Sequence, residues 1–128
     1  MQLTNAEAKE ALGALQVLAS EKHPKQGALH MRKLIRALTV HNEDVEAERI
    51  RIIEEYVERD EHGNPVTGDQ PGTIKLDMTR LADAQRELAE LWAATWESDC
   101  RRIRATDLAD DVQPALLVRL GDLVEDEE

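Results

Sequence analysis

The stretch PKQGALHMRKLIRALTVHNEDVEAERIRIIEEYVER, residues 24–59, decides the fold. Every seventh residue from Met31 is apolar (Met31, Leu38, Val45, Ile52), and the positions four further on are Ile35, Asn42, Arg49 and Tyr56. This is one helical seam with two polar gaps. No Gly or Pro interrupts Ala28 to His62, and Glu43, Asp44, Glu46, Glu48, Arg51, Glu54, Glu55 and Glu58 form a charged outer face. The pattern predicts one helix from about Pro24 to Arg59, spanning roughly 54 Å at the usual rise per residue. A compact chain of this length has a radius of gyration of only about 14 Å. The helix therefore projects, bends near His41 to Asp44, or is covered by two shorter helices. Asn42 and Arg49 either stay hydrated on a slightly turned helix or contact another chain, where polar residues in a seam set register and partner choice.

Working outward, Thr4 to Glu7 is a capping box that starts a first helix, whose stripe is Ala8, Ala11, Leu12, Leu15, Leu18 and Ala19. Pro24 disfavours helix at His23 and ends it. After the long helix, Asp60 to Pro65 and Gly68 to Gly72 are dense in turn residues, and the runs 65–67 and 73–76 between and after them read as a small hairpin or a mobile loop. Asp77 caps a further helix with apolar positions Leu81, Ala84, Leu88, Leu91 and Trp92. Residues 96–105 lose that period, and a strand there would pair Ile103 with Ile74 to Leu76 and leave its arginines outside. Asp111 to Pro114 opens a short helix that stops before Gly121. The acidic tail 122–128 reads as frayed. The expected fold is mainly α, a long central helix packed by two shorter amphipathic helices with a small hairpin or a two-to-three-stranded sheet, in a single domain over 1–121.

Composition agrees. With no Phe, one Tyr and two Trp in 128 residues, burial rests on Leu, Ile, Val and Ala, which suits helix packing. The net charge of −11 is uneven: residues 1–51 hold 8 Lys/Arg against 7 Asp/Glu, and residues 52–128 hold 8 against 20. Such a field repels nucleic acid and anionic membranes and attracts basic protein surfaces. Cys100 is the one cysteine, so no intrachain disulfide forms. No leader-like segment and no apolar run of about 18 residues is present, so a cytoplasmic location is expected.

No enzyme signature is present. The four histidines do not form a metal motif, since His30 and His41 share a helix face but stand roughly 16 Å apart at the helical rise. Phosphate loops, nucleophile elbows and calcium-loop spacings are missing. No catalytic residue, cofactor or metal is therefore expected. Arg101, Arg102 and Arg104 are a basic cluster inside the acidic part. They serve as ion-pair partners of nearby carboxylates, or as an anion pocket with Trp96 stacking on a ring.

The layout also carries a resemblance. Leu3-Thr4-Asn5 opens a short helix, Pro24 precedes a long one, and Glu48-Arg49 runs on to Ile53-Glu54-Glu55-Tyr56. An acidic Gly-Asn turn follows at 60–64, then Leu88 to Leu91 and a segment with Glu97, Asp99 and Ile103. The order resembles a family of small phage and prophage proteins of unknown function. The resemblance implies expression inside a bacterial host and action through a protein partner, either a host factor that is inhibited or a virion protein bound during assembly. Asn42, Arg49, Glu54, Glu55, Tyr56 and Glu58 are the partner-binding candidates, and the seam of the long helix offers a route to a homodimer.

Overall fold

A computed structural model describes residues 1–125. The order of elements is β1 (Gln2–Thr4), α1 (Asn5–Ala19), α2 (Lys25–Glu55), α3 (Leu81–Ala93), β2 (Thr95–Glu97) and α4 (Pro114–Leu120), with 3-10 turns at Met78–Arg80, Ala105–Asp107 and Gly121–Leu123. The chain is thus mainly α, a long helix packed by shorter ones and a two-stranded antiparallel sheet. Where the sequence reading has one domain, the chain packs as two compact units, Met1–Glu43 with Ala93–Glu128, and Asp44–Trp92.

In the first unit the capping box forms as read: the Glu7 amide donates to Thr4 Oγ1 (3.1 Å), and the Thr4 amide donates to Glu7 Oε1 (3.0 Å). Hydrogen bonds from the Thr4 amide, first, and then from the Thr4 hydroxyl hold the Glu7 carboxyl below its ordinary value. The core joins Leu3, Leu15 and Leu18 to Met31, Leu34 and Leu38 of α2 and to Ile103, Leu120 and Leu123, all at most 2% exposed. Burying each such side chain is worth about 1.5–3 kcal/mol. Ala8, Ala11 and Ala14 are buried too, and their small side chains let neighbouring helices approach α1 closely. β1 and β2 pair in the register Leu3 to Trp96.

Two local expectations differ here. Ile103 is buried, but its partner is Val124 in a parallel bridge, with Ile103 N–H donating to Leu123 O and Glu125 N–H to Ile103 O, each at 2.8 Å. It does not pair with Ile74, which belongs to the second unit. Asp122 to Glu125, read as part of a frayed tail, are held by that pairing and by Leu123, which is 0% exposed. The rest of the tail, 126–128, lies outside the described residues. Gly27 sits where a Cβ would be 1.9 Å from the Asp107 carbonyl oxygen, so the turn at Ala105–Asp107 lies directly on the α2 backbone.

In the second unit, Ile52 and Tyr56 of α2 pack with Ala84, and with Leu88 and Leu91, of α3. α2 stops at Glu55, short of Arg59, because the chain beyond it is taken up by backbone pairing. Val57 bridges Leu76, Arg59 bridges Pro65 and Thr67 bridges Ile74, all antiparallel. Glu58 N–H donates to Lys75 O (2.8 Å), Lys75 N–H to Val66 O (2.9 Å), and Val66 N–H to Glu58 O (2.8 Å), closing a ring of three hydrogen bonds. The 63–76 region is therefore a paired hairpin. Its turns use the expected chemistry, since Asp60 Oδ1 accepts from the amides of His62 and Asn64, and Gly63 and Gly72 have φ of 78° and 80°. Asp77 caps the 3-10 turn ahead of α3 through Thr79, which keeps its carboxyl below the ordinary value.

Three substitutions check this packing. Leu38→Ala, at a position 0% exposed, is expected to lower the unfolding free energy by about 2–5 kcal/mol, and half-buried Leu88→Ala by less. In a helix interior Gly→Ala ordinarily stabilises by about 1 kcal/mol, but Gly27→Ala is expected to destabilise by about 1–3 kcal/mol because its methyl meets the Asp107 backbone. Urea unfolding of each variant measures all three.

Candidate functional site

The arginine cluster is organised by a residue that the sequence reading left out. Asp107, 5% exposed, accepts from Arg101 Nη1 (2.7 Å) and Nη2 (3.1 Å) and from the Arg104 amide (2.9 Å). The Arg101 pairing, ahead of the Arg104 amide, holds the Asp107 carboxyl below its ordinary range against the opposing effect of burial. The same hydrogen bonds push the Arg101 guanidinium up. His30 Nε2 donates to Arg101 O (2.9 Å), and His23 accepts from the Ala109 amide at Nδ1 (3.0 Å) while Nε2 donates to Leu18 O (2.8 Å). Both histidines therefore tie the loop that carries the arginines to the helices.

Arg101, Arg102 and Arg104 do come together, lining an open concavity of about 370 Å³ with Met1, Cys100 and Glu125. Its positive charge is largely answered from within. Arg101 is paired with Asp107, Arg104 Nε stands 3.6 Å from Glu125 Oε2, and the Met1 ammonium donates to Ser98 O (2.8 Å). Arg102 is exposed. Trp96, expected to complete an anion pocket, is not among the lining residues. Its ring stacks on His41 at 4.6 Å with planes 10° apart, and His41 Nε2 donates to Asn5 Oδ1 (2.7 Å). The cluster thus builds ion pairs, and the proposed stacking residue serves the core instead.

The partner-binding candidates divide. Asn42 belongs to the first unit, where it is half-buried and its Nδ2 donates to Ala8 O (3.4 Å). It fills its polar gap with an intramolecular bond. The other five lie in the second unit. Arg49 donates to both carboxylate oxygens of Glu46 on its own helix. Tyr56 is only 5% exposed, with the Arg80 guanidinium 4.4 Å from its ring centre. Burial first, and then the Glu87 carboxylate, raise its phenol above the ordinary value. Tyr56 is therefore an interior residue and not a contact surface. Glu54 and Glu55 are exposed, and half-buried Glu58 stands 3.4 Å from Lys75.

The seam itself is covered. Met31, Leu38, Val45, Ile52 and Tyr56 are all at most 5% exposed. These five positions are interior, while Ile35, Asn42 and Arg49 of the same seam are half-buried. Among the described residues no group of three or more His, Cys, Asp or Glu is placed to hold a metal ion, and no helix is long and apolar enough to cross a membrane. No protein-family model matches the chain, and no curated protein and no solved structure matches it either.

The Asp107 knot yields a pH-dependent prediction. Because its carboxyl sits below the ordinary value in the folded state, its contribution is full above the unfolded carboxylate value of about 3.9 and is lost as pH falls through the folded value. Asp107→Asn is expected to cost about 1.5–3 kcal/mol near neutrality, a deficit that shrinks as pH is lowered below the unfolded carboxylate value of about 3.9. Urea midpoints of the two proteins across that range measure it. A deficit that persists unchanged in acid would mean that shape, and not charge, holds the turn.

Proposed function

We propose that this protein works by contact rather than by catalysis, as a phage-encoded inhibitor that acts in the cytoplasm of a bacterial host. The acidic second unit docks on a basic surface of a host enzyme or defence complex. Charge carries this reading: residues 44–92 hold 13 Asp/Glu against 6 Lys/Arg, a net −7 of the −11 of the whole chain. Glu54, Glu55, Asp60 and Glu61 are exposed there. None of the ion pairs among the described residues engages Glu54 or Glu61. The whole-chain charge of −11 exceeds what solubility requires of a small domain. Its field accelerates encounter with a basic partner and disfavours nucleic acid and anionic lipid. The order of motifs, which resembles that of small phage and prophage proteins, motivates the proposed origin.

The test begins with capture from bacterial lysate, set beside mass spectrometry of purified virions, which would find the protein if it were an assembly component. For a captured partner, reversing Glu55, Glu58 and Glu61 to Lys is expected to slow association by about tenfold or more, with a smaller effect on dissociation. Wild-type affinity should fall steeply as salt is raised, because exposed charges are screened beyond about 8 Å at physiological ionic strength. Salt-independent binding, untouched by the three reversals, overturns the acidic-surface reading.

A further inference from the structure

Residues 22–42 hold five Lys/Arg and no Asp or Glu, in a chain that carries 27 Asp/Glu among its 128 residues. The whole stretch belongs to the first unit, and most of it is the first part of α2. At the pitch of an α-helix, Lys25, Leu29, Arg32, Lys33, Arg36 and Val40 fall within an arc of about 100°. Gly27, Met31, Leu34 and Leu38, all buried, lie on the opposite side. The six outward residues are all exposed, with Leu29 and Val40 at 54% and 61%. None of the four cations enters an ion pair among the described residues. Other arginines of this unit are answered, Arg101 by Asp107 and Arg119 by Glu10. The outer face of α2 is thus left with unanswered cations and bare apolar side chains between them.

We propose that this face of the first unit is a docking site for an acidic amphipathic helix of another protein, one whose carboxylates flank a short apolar seam. From Lys25 to Val40 the face runs roughly 22 Å, the length of a helix of about 16 residues. The seam of such a helix covers Leu29 and Val40, and its flanking carboxylates meet Lys25, Arg32, Lys33 and Arg36. A nucleic-acid backbone would answer the cations but set Leu29 and Val40 against phosphates, and its dense charge is repelled by a chain of net −11. An anionic membrane takes a helix by a broad apolar face, and the apolar face of α2 here is turned into the core. A short acidic helix brings few charges and supplies the apolar side chains that both alternatives lack. Because exposed ion pairs are individually weak, the dissociation constant is on the order of 100 µM. The face shares no residue with the acidic surface of the second unit, so either reading can fail without the other.

The probe is a fluorescein-labelled synthetic peptide of about 18 residues, with leucines at three-four helical spacing and glutamates on both flanks. Anisotropy is followed as the full chain is added up to about 1 mM. The expected result is saturable binding that weakens as salt rises. The double variant Arg32→Glu, Arg36→Glu is expected to weaken it by about tenfold or more, and Leu29→Gln by about threefold or more. Replacing the peptide's leucines by glutamine should weaken it by about threefold or more as well. Circular dichroism checks that these exposed substitutions leave the helices intact. A labelled oligothymidylate of similar length, and phosphatidylcholine vesicles with about one-third phosphatidylserine, should bind less tightly than the peptide. No binding of the peptide up to about 1 mM, binding indifferent to the arginine reversals or to loss of the leucines, or tighter binding of the oligonucleotide or the vesicles overturns the proposal.

Discussion

An amphipathic helix of 31 residues must have its apolar stripe covered along its whole length, and no other helix among the described residues is long enough to do so. The fold is a response to that constraint. α1, with 15 residues, and α4 pack in the unit that holds the first part of α2. α3, with 13, packs against Ile52 and Tyr56 in the other. Leucine and alanine dominate the first unit because several helices meet there. Around Tyr56 the smaller cluster is supplemented by a cation over the ring and a carboxylate at the hydroxyl.

What could be read from the chain was whatever depends on neighbours a few residues away. The capping box at Thr4, the break at Pro24, the turns at Asp60 to Gly63 and the proline start of α4 are all local hydrogen-bond or steric events, and they stand where the residues put them. The end of α2 is different, because nothing in Tyr56 to Arg59 breaks a helix. The chain leaves helical geometry there because partners 6 and 19 residues away, Pro65 for Arg59 and Leu76 for Val57, claim the backbone. Ile103 illustrates the same limit. Its burial follows from its apolar side chain between arginines, whereas its pairing with Val124 depends on where α4 returns the chain.

The candidate site was legible in kind more than in membership. An arginine cluster in an acidic segment implies ion pairs, and Arg101 and Arg104 have them. That Asp107 should be the buried acceptor depends on a glycine 80 positions away. Only the missing side chain at Gly27 lets the turn lie against α2. Trp96 could be recognised as a stacking residue, yet its partner is set by strand register and by a histidine of α2. For α2 the periodicity identified the covered face, and Met31, Leu38, Val45 and Ile52 are interior as an apolar stripe requires.

The closed ring of Glu58, Val66 and Lys75 has a consequence for how this protein can vary. Its three hydrogen bonds run from main chain to main chain, so side-chain identity at the three corners is not what maintains it. The turns that connect the corners, around 60–64 and 69–72, need only suitable backbone geometry, which Gly63 and Gly72 provide at positive φ. Sequence drift should be cheap at the tips except at Gly63 and Gly72, whose positive φ strains any other residue, and it requires Thr73 to shift if Gly68 changes, where a Cβ would press within 2.4 Å of Thr73 Oγ1. The segment is therefore a natural place for a lineage to exchange surface residues, and to acquire or lose recognition determinants, without disturbing the helices beneath.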